Sequence, residues 1–381
     1  MPGTQDQNKI GVLFLAEALH PGGAERQLEL LMDNLDTSRF TPHLLTWIDA
    51  GQPYQNDSKR YEWIQVLRNH KFDFSPLWHA KRMIDKGQIQ IVHGMLDTGN
   101  LYGGILKILK KKKIVFVASE RCSERKLGFF QAIHKPRVHR IADVTVGNSK
   151  KGLEFISSMG IPESRLCLIS NGLNTDVFTP ADEGTKKRLK SKLFGHLDAQ
   201  KVLLFVGTLY PAKNQLGLIR ALADVNWQST HLILVGKHNH DYVAEIQNAI
   251  KEYNLESKIE IYGPQSDIEN WYRAADGLIL NSIHEGTPNV VLEAMACGLP
   301  VIATSVGDIP RYLNDEIGWL VTSGDQSQLT SVLKQFDQFP SSELAAKGAL
   351  ASAHIEALRL TKSNLVKRHQ ELYLSLLGDA H

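Results

Sequence analysis

The sequence predicts an α/β fold of two doubly wound parallel sheets, each the centre of its own domain. Three observations point there. The chain has 381 residues, more than one hydrophobic core usually serves. Short, largely apolar β-rich runs alternate with helix-like stretches, as in strands buried on both faces and joined by right-handed crossovers. A polar, strand-poor segment, DVFTPADEGTKKRLKSKLFGHLDAQ at 176–200, separates one series of runs from the next.

In the first half the strand candidates are KIGVLFLAE (9–17), TPHLLTW (41–47), IQIVHG (89–94), KIVFVAS (113–119) and DVTVGNS (143–149). In the second they are KVLLFVG (201–207), HLILVG (231–236), KIEIYG (258–263), GLILNS (277–282) and PVIATS (300–305). Several end in glycine or a small polar residue, which marks the carboxyl edge where such sheets bind ligands. The expected domains are 1–180 and 181–361. The last amphipathic helix, KSNLVKRHQELYLSLL, has no strand after it, and the tail 362–381 is expected to pack back on the first domain. The architecture is thus two Rossmann-like domains facing each other across a cleft.

Composition is that of an ordinary globular protein, with 43% hydrophobic and 22% charged residues. A formal net charge of +2 gives no global reason to expect nucleic acid as a partner. Cys122, Cys167 and Cys297 lie far apart, form neither a metal pattern nor a disulfide framework, and fit a reducing compartment. The N-terminal MPGTQDQNKIGVLFLAEALHPGG has too short and too poorly flanked an apolar run for a signal peptide. No stretch approaches the roughly 18 apolar residues of a membrane span. The expectation is a cytoplasmic protein, either soluble or peripheral at the inner face of the membrane. KILKKKK (107–113) reads as a solvated helix end, whereas RKLGFFQAIHKPRVHR (125–140) interleaves basic and aromatic residues as an anionic interface would require.

The chemistry concentrates in LILNSIHEGTPNVVLEAMACGLPVIA (278–303), where Glu285 and Glu293 stand on either side of Pro288. GLILNS reads as a strand and IHEG as the turn at its carboxyl end. Thr287 is the expected N-cap and Pro288 the first helical residue, while Gly298 stops the helix. The backbone N–H groups of Gly286, Thr287, Asn289 and Val290, around the imino Pro288, are expected to make an anion site reinforced by the helix dipole. A carboxylate beside such a site suits neutral hydroxyls next to a phosphate. A nucleotide sugar presents that pattern, with Glu285 taking the sugar hydroxyls and Glu293 the vicinal ribose diol. The plain alternative is a solvated loop residue and a surface helix residue, but Glu293 interrupts an apolar NVVLEAMA run.

EGTPNVVLE resembles the E-x7-E signature of retaining GT-B glycosyltransferases, and its surroundings resemble glycosyltransferase family 4 (group 1). The resemblance covers nearly the whole chain: PGGAER (21–26), ISNGLNTDVFTP (169–180), LLFVGTLYPAKNQ (203–215) and EAMACGLPVIATSVGDIPRYL (293–313) all match the family's pattern. It implies a GT-B fold and an EC 2.4 transferase moving a glycosyl group, with retention, from a nucleoside-diphosphate sugar. UDP is the commonest such nucleotide. The acceptor would be a growing surface polysaccharide, a lipid-linked oligosaccharide or a lipopolysaccharide core.

By that resemblance Lys213 would neutralise the donor diphosphate, and Gly22 and Gly23 would let backbone amides approach the reacting centre. The family commonly carries an arginine where this chain has Thr208, so Arg273 or Arg311 would have to substitute. Many members carry a histidine where this chain has Met95; His93 either takes part of that role or is a satisfied strand-end histidine. Asp97, Asn100, Glu120, Arg121 and Arg125 are the acceptor-side candidates.

The resemblance implies electrostatic catalysis, with helix amides and Lys213 stabilising the departing diphosphate and Glu285 as a hydroxyl ligand rather than a nucleophile. No Asp-x-Asp occurs in the chain, so a metal-bridged diphosphate is not indicated, and no cofactor is expected. Two rivals share the fold. A nucleotide-sugar epimerase would need acidic groups poised for proton abstraction, and a non-catalytic nucleotide-sugar binder is favoured by the departures at Thr208 and Met95. A dinucleotide dehydrogenase lacks its G-x-G-x-x-G after either first strand.

Overall fold

The computed structural model describes residues 9–19, 22–49, 60–70, 73–110, 114–121, 127–197, 200–225 and 227–378. The chain divides into two compact units, Met1–Gly172 with Lys362–His381, and Leu173–Thr361.

The first unit holds β1 (Ile10–Leu15), β2 (Phe40–Thr46), β3 (Glu62–Gln65), β4 (Ile91–Gly94), β5 (Val115–Glu120), β6 (Val144–Gly147) and β7 (Leu166–Leu168). They form one sheet in the order β3-β2-β1-β4-β5-β6-β7, and its pairings are parallel. Strand order reverses between β1 and β4, which puts the topological switch point at their carboxyl ends. Side chains alternate across the sheet. Val12 and Phe14 pack with Leu28, Leu31 and Tyr373 on one face; Leu13 and Leu15 pack with Leu77, Ala80 and Leu106 on the other. Burial on both faces is why β1 reads as an unbroken apolar run. The helix Lys362–Gly378 contributes Leu365, Val366 and Tyr373 to the first of these cores.

The second unit holds β8 (Lys201–Val206), β9 (Thr230–Val235), β10 (Ile259–Tyr262), β11 (Gly277–Leu280), β12 (Val301–Thr304) and β13 (Gly318–Val321). Their order is β10-β9-β8-β11-β12-β13, again with parallel pairings. Three strands, β3, β7 and β13, have no counterpart among the sequence-predicted runs. Each is an edge strand and only partly buried, so it shows no continuous apolar signal.

The polar, strand-poor segment lies in the second unit, where the expected bounds put all of it from residue 181 on. Its residues Glu183–Phe194 form a helix whose N-cap Asp182 accepts from the Thr185 N–H at 2.9 Å. Lys186 and Lys190 reach the buried Asp276 at 3.1 and 2.8 Å, and Phe194 is fully buried against Trp271. Burial would raise the Asp276 pKa, but the two lysines and the Val202 N–H outweigh it and hold the carboxyl below its ordinary value. The division falls at 172/173 rather than 180/181. Leu173 and Phe178 belong to the second core, and Arg273 Nε donates to the Thr179 carbonyl at 3.0 Å.

Among the described residues no helix is long and apolar enough to cross a membrane. Cys167 and Cys297 are free thiols; Cys122 lies outside the described residues.

Candidate active site

Two turns meet at the carboxyl ends of β8 and β11. After β8 the chain makes a single 3-10 turn, Pro211–Lys213, closed by Asn214 in the left-handed conformation at φ 54°. The Asn214 side chain then caps the helix Gln215–Ala223, accepting from the Gly217 N–H at 3.3 Å. From the other turn, the Ile283 N–H donates to the Ala212 carbonyl at 2.8 Å and the Asn281 amide donates to the Asn214 carbonyl at 3.1 Å. This pinning brings the Lys213 ammonium onto Glu285 Oε1 as a mostly shielded ion pair. The Ser282 hydroxyl donates to the same oxygen at 2.6 Å, and the Thr304 hydroxyl donates to the Ser282 carbonyl at 2.6 Å. Gly307, at φ 56°, completes the support: a Cβ there would lie 2.3 Å from the Gly286 carbonyl oxygen and 2.5 Å from that of Glu285.

The helix after this loop, Asn289–Ala296, begins one residue later than the sequence predicts. Pro288 is the N-cap, with ψ 115° that is not helical, and Thr287 is a buried loop residue instead of the cap. Proline has no side-chain acceptor, so no side chain caps the helix, and its first amides with the positive dipole end suit an anion. Asn289 and Val290 form its first turn, next to the buried Gly286. Glu293 is one turn further on, between the buried Leu292 and Ala294, and is only 3% exposed. The fully buried Tyr272 donates its hydroxyl to Glu293 Oε2 at 3.0 Å.

The proposed stand-ins for an arginine at Thr208 are otherwise engaged. Arg273 donates to the Val177 and Thr179 carbonyls, and Arg311 pairs with Asp308 at 2.6 Å. Thr208 is exposed, and its carbonyl accepts from the Gln215 amide at 3.2 Å.

In the first unit His93 has the surroundings of a satisfied strand-end histidine. It is fully buried, with Nδ1 at 2.7 Å from the Tyr373 hydroxyl and Nε2 at 2.8 Å from the Ser119 hydroxyl. Burial, then the neighbouring His369 and Arg121, hold its pKa well below the ordinary value, so the ring is neutral. Asn100 is also structural: its amide exchanges two hydrogen bonds with the Ser119 backbone, at 2.8 and 2.9 Å. Met95 is buried beside them. Gly22 is the extended N-cap of the helix Gly23–Asn34, whose exposed first residue is Gly23. A Cβ on Gly22 would lie 2.4 Å from a Glu25 carboxylate oxygen.

Asp97, Glu120 and Arg121 do come together, at the carboxyl ends of β4 and β5, and share a cavity with Glu17, Thr98 and Gln131. Lys135, itself 3% exposed, bridges the two acids, 3.0 Å from Asp97 and 2.5 Å from Glu120. Arg121 donates to the Asn171 side-chain oxygen at 3.1 Å, and burial lowers its pKa to about 10, so it stays charged at neutral pH. Arg125 lies outside the described residues.

Two family models match the chain. One, for glycosyl transferases group 1, covers residues 200–336; the other, for glycosyltransferase family 4, covers residues 21–177. The chain belongs to the group 1, family 4 glycosyltransferases. Relatives of this chain include two D-inositol 3-phosphate glycosyltransferases. That of Streptosporangium roseum is 29% identical over 266 residues, 66% of this chain and 59% of the relative. That of Thermobispora bispora is 30% identical over 264 residues, 66% of this chain and 60% of the relative. The match therefore spans about three fifths of those relatives' length. Among solved structures, Anabaena HepE in complex with UDP and glucose matches with a TM-score of 0.85 at 20% identity, over 96% of this chain and 100% of that one. The fold is GT-B.

Sequence reasoning missed the residues that hold the candidate groups in place. Ser282 meets Glu285 from the same loop, whereas Tyr272, Gly307 and Lys135 reach Glu293, Glu285 or the acids of the first unit from distant parts of the sequence. Glu17 did carry a signal, as the acid directly after the apolar run of β1.

Proposed function

We propose that this family 4 chain transfers a glycosyl group from a nucleoside-diphosphate sugar, with UDP as the nucleotide, to a hydroxyl of a glycan or lipid-linked acceptor, with retention at the anomeric carbon. The observation that carries the reading is the Lys213–Glu285–Ser282 cluster beside an uncapped helix start. Glu285 there takes sugar hydroxyls, Glu293 takes the ribose diol, and Lys213 with the amides of Gly286, Asn289 and Val290 receives the diphosphate. UDP is supported by the bound nucleotide named for HepE, whose fold this chain shares.

In the reaction the bond from the anomeric carbon to the β-phosphate oxygen breaks and one to the acceptor oxygen forms on the same face. The acceptor's proton passes to the departing phosphate oxygen. Lys213 and the helix amides stabilise negative charge growing on that diphosphate, in a site arranged before the reaction begins. Glu285, already accepting from Lys213 and Ser282, acts as an oriented hydroxyl acceptor rather than a nucleophile. With those positive groups facing the diphosphate, no metal ion is required. The product would enter a cell-surface polysaccharide, lipopolysaccharide among them.

The first unit would meet the membrane's inner, anionic face through the helix Phe129–Ile141. Phe129 and Phe130 are 77% and 79% exposed, Ile133 is exposed beside them, and Arg137 and Arg140 stand on the same helix. A ligand-induced thermal-shift panel of nucleotide sugars tests the donor assignment: UDP-sugars raise Tm and lose the effect in Glu293→Gln, whereas no shift with any nucleotide sugar overturns it.

A further inference from the structure

We propose that Lys237, on the turn after β9, is a second lysine ligand of the donor's diphosphate, reaching it past the small, uncharged Thr208. The inference rests on the glycosyltransferase reading and deepens its donor site.

The positive charge facing the diphosphate is thin without it. Glu285 offsets Lys213, so that pair brings no net charge to the ligand. Arg311 is paired with Asp308, and Arg273 donates to the Val177 and Thr179 carbonyls. Among the described residues, the turns that directly follow the strands of the second unit hold Lys213 and Lys237 and no other lysine or arginine. Lys237 is exposed, and its ammonium has no ion-pair or hydrogen-bond partner among the described residues.

Strand register places that lysine. Val206 pairs with Val235 at the end of the β8–β9 ladder, and an isolated parallel bridge further on joins Leu209 to His238. The offset is the same at both, so Thr208 and Lys237 stand opposite each other, and the Leu209 N–H donates to the Lys237 carbonyl at 2.9 Å. Gly207 and Gly236 share one unusual backbone, at φ 154° and 155°, and a Cβ on Gly236 would lie 1.9 Å from the Gly207 carbonyl oxygen. The two chains therefore bend together and keep their pairing. Registered neighbours on parallel strands project from the same face, with the chains about 4.8 Å apart. Leu209 is fully buried while Thr208 and Lys237 are exposed, so both look away from the core. Lys237 thus rises beside the turn that carries Lys213. An exposed lysine is ordinarily a solvated charge, but a compact ammonium on a flexible stem at this position suits phosphate oxygens.

Calorimetry on the full chain tests this, with UDP and inorganic pyrophosphate as separate probes. Lys237→Ala should weaken both at least about fivefold, the scale of one partly exposed charge-assisted contact, with the Tm of the free protein unchanged. Moving the charge across the pair, in Lys237→Ala with Thr208→Arg, should bring UDP affinity back to within about threefold of the parent. Lys251→Ala, an exposed lysine on the helix His240–Glu252, should change neither affinity. Affinities unchanged in Lys237→Ala, an equal loss in Lys251→Ala, or a loss that Thr208→Arg does not recover overturns the proposal. If the parent binds pyrophosphate through Lys237 but does not bind UDP, the donor reading fails and the anion site stands. If it binds neither probe, both fall.

Discussion

The Tyr272 hydroxyl lies 3.0 Å from Glu293 Oε2, and both side chains are almost wholly removed from water. A carboxylate so placed costs free energy unless donors meet it, and Tyr272 is one of them. In the proposed complex a ribose diol adds two more donors. Tyr272→Phe should lower stability by about 1–3 kcal/mol, read by denaturant unfolding. Glu293→Gln should weaken UDP binding by roughly 10–100-fold, the equivalent of about 1.5–3 kcal/mol for a charge-assisted hydrogen bond, read by calorimetry. Unchanged UDP affinity in that variant would leave Glu293 with a structural role alone.

Lys213 is tied to Glu285 by the pinned turns rather than by its own packing. Lys213→Ala should therefore fold normally yet lose about 10²–10³ in kcat, the scale of removing one oriented charge-stabilising donor. Turnover of the donor and a thermal melt on the same sample separate the two effects. Addition of EDTA should leave turnover of the parent protein unchanged; loss restored by a divalent ion would transfer the diphosphate's neutralisation from Lys213 to a metal.

Acid should destabilise the first unit through its buried histidines. Burial is the leading cause that lowers His93, and it takes His139 and His369 to about 3. Their folded values lie below the unfolded value of about 6.5. The unfolded chain then binds more protons as pH falls, so the stability they confer is complete above about pH 6.5 and is lost progressively towards pH 3. Each histidine adds up to about 1.4 kcal/mol per pH unit to that slope. Unfolding free energies measured between pH 7 and 5 should fall less steeply in His369→Gln than in the parent; equal slopes would contradict the account.

The exposed Phe129 and Phe130 give the membrane reading a direct check. Co-sedimentation with vesicles containing phosphatidylserine should fall at least about tenfold in the double variant Phe129→Ser, Phe130→Ser, since each buried phenyl ring contributes about 1.5–3 kcal/mol. Binding that also occurs with neutral vesicles would remove the contribution assigned to Arg137 and Arg140.

Central strands were legible because burial on both faces writes itself into local sequence, as Val12 to Leu15 show by serving two cores at once. Edge strands such as Leu166–Leu168 are half-buried and carry no such run. The Glu285 and Glu293 pair could be read from its own loop and helix, because glycine and proline mark both. His93 was harder: its environment is made by Tyr373 and Ser119, and no local pattern encodes a partner 280 positions away. The same holds for Lys135, a basic residue in an amphipathic-looking stretch that turns out to be buried between two acids. The helix Glu183–Phe194 shows little apolar signal, because two of its lysines, Lys186 and Lys190, are held by a distant carboxylate, Asp276.

The most direct measurement is donor-dependent release of UDP from UDP-sugars by the parent protein and by Glu285→Gln. The account predicts release by the parent and a loss of at least about 10²-fold in the variant, with Tm nearly unchanged. Release by Glu285→Gln within about threefold of the parent would contradict it.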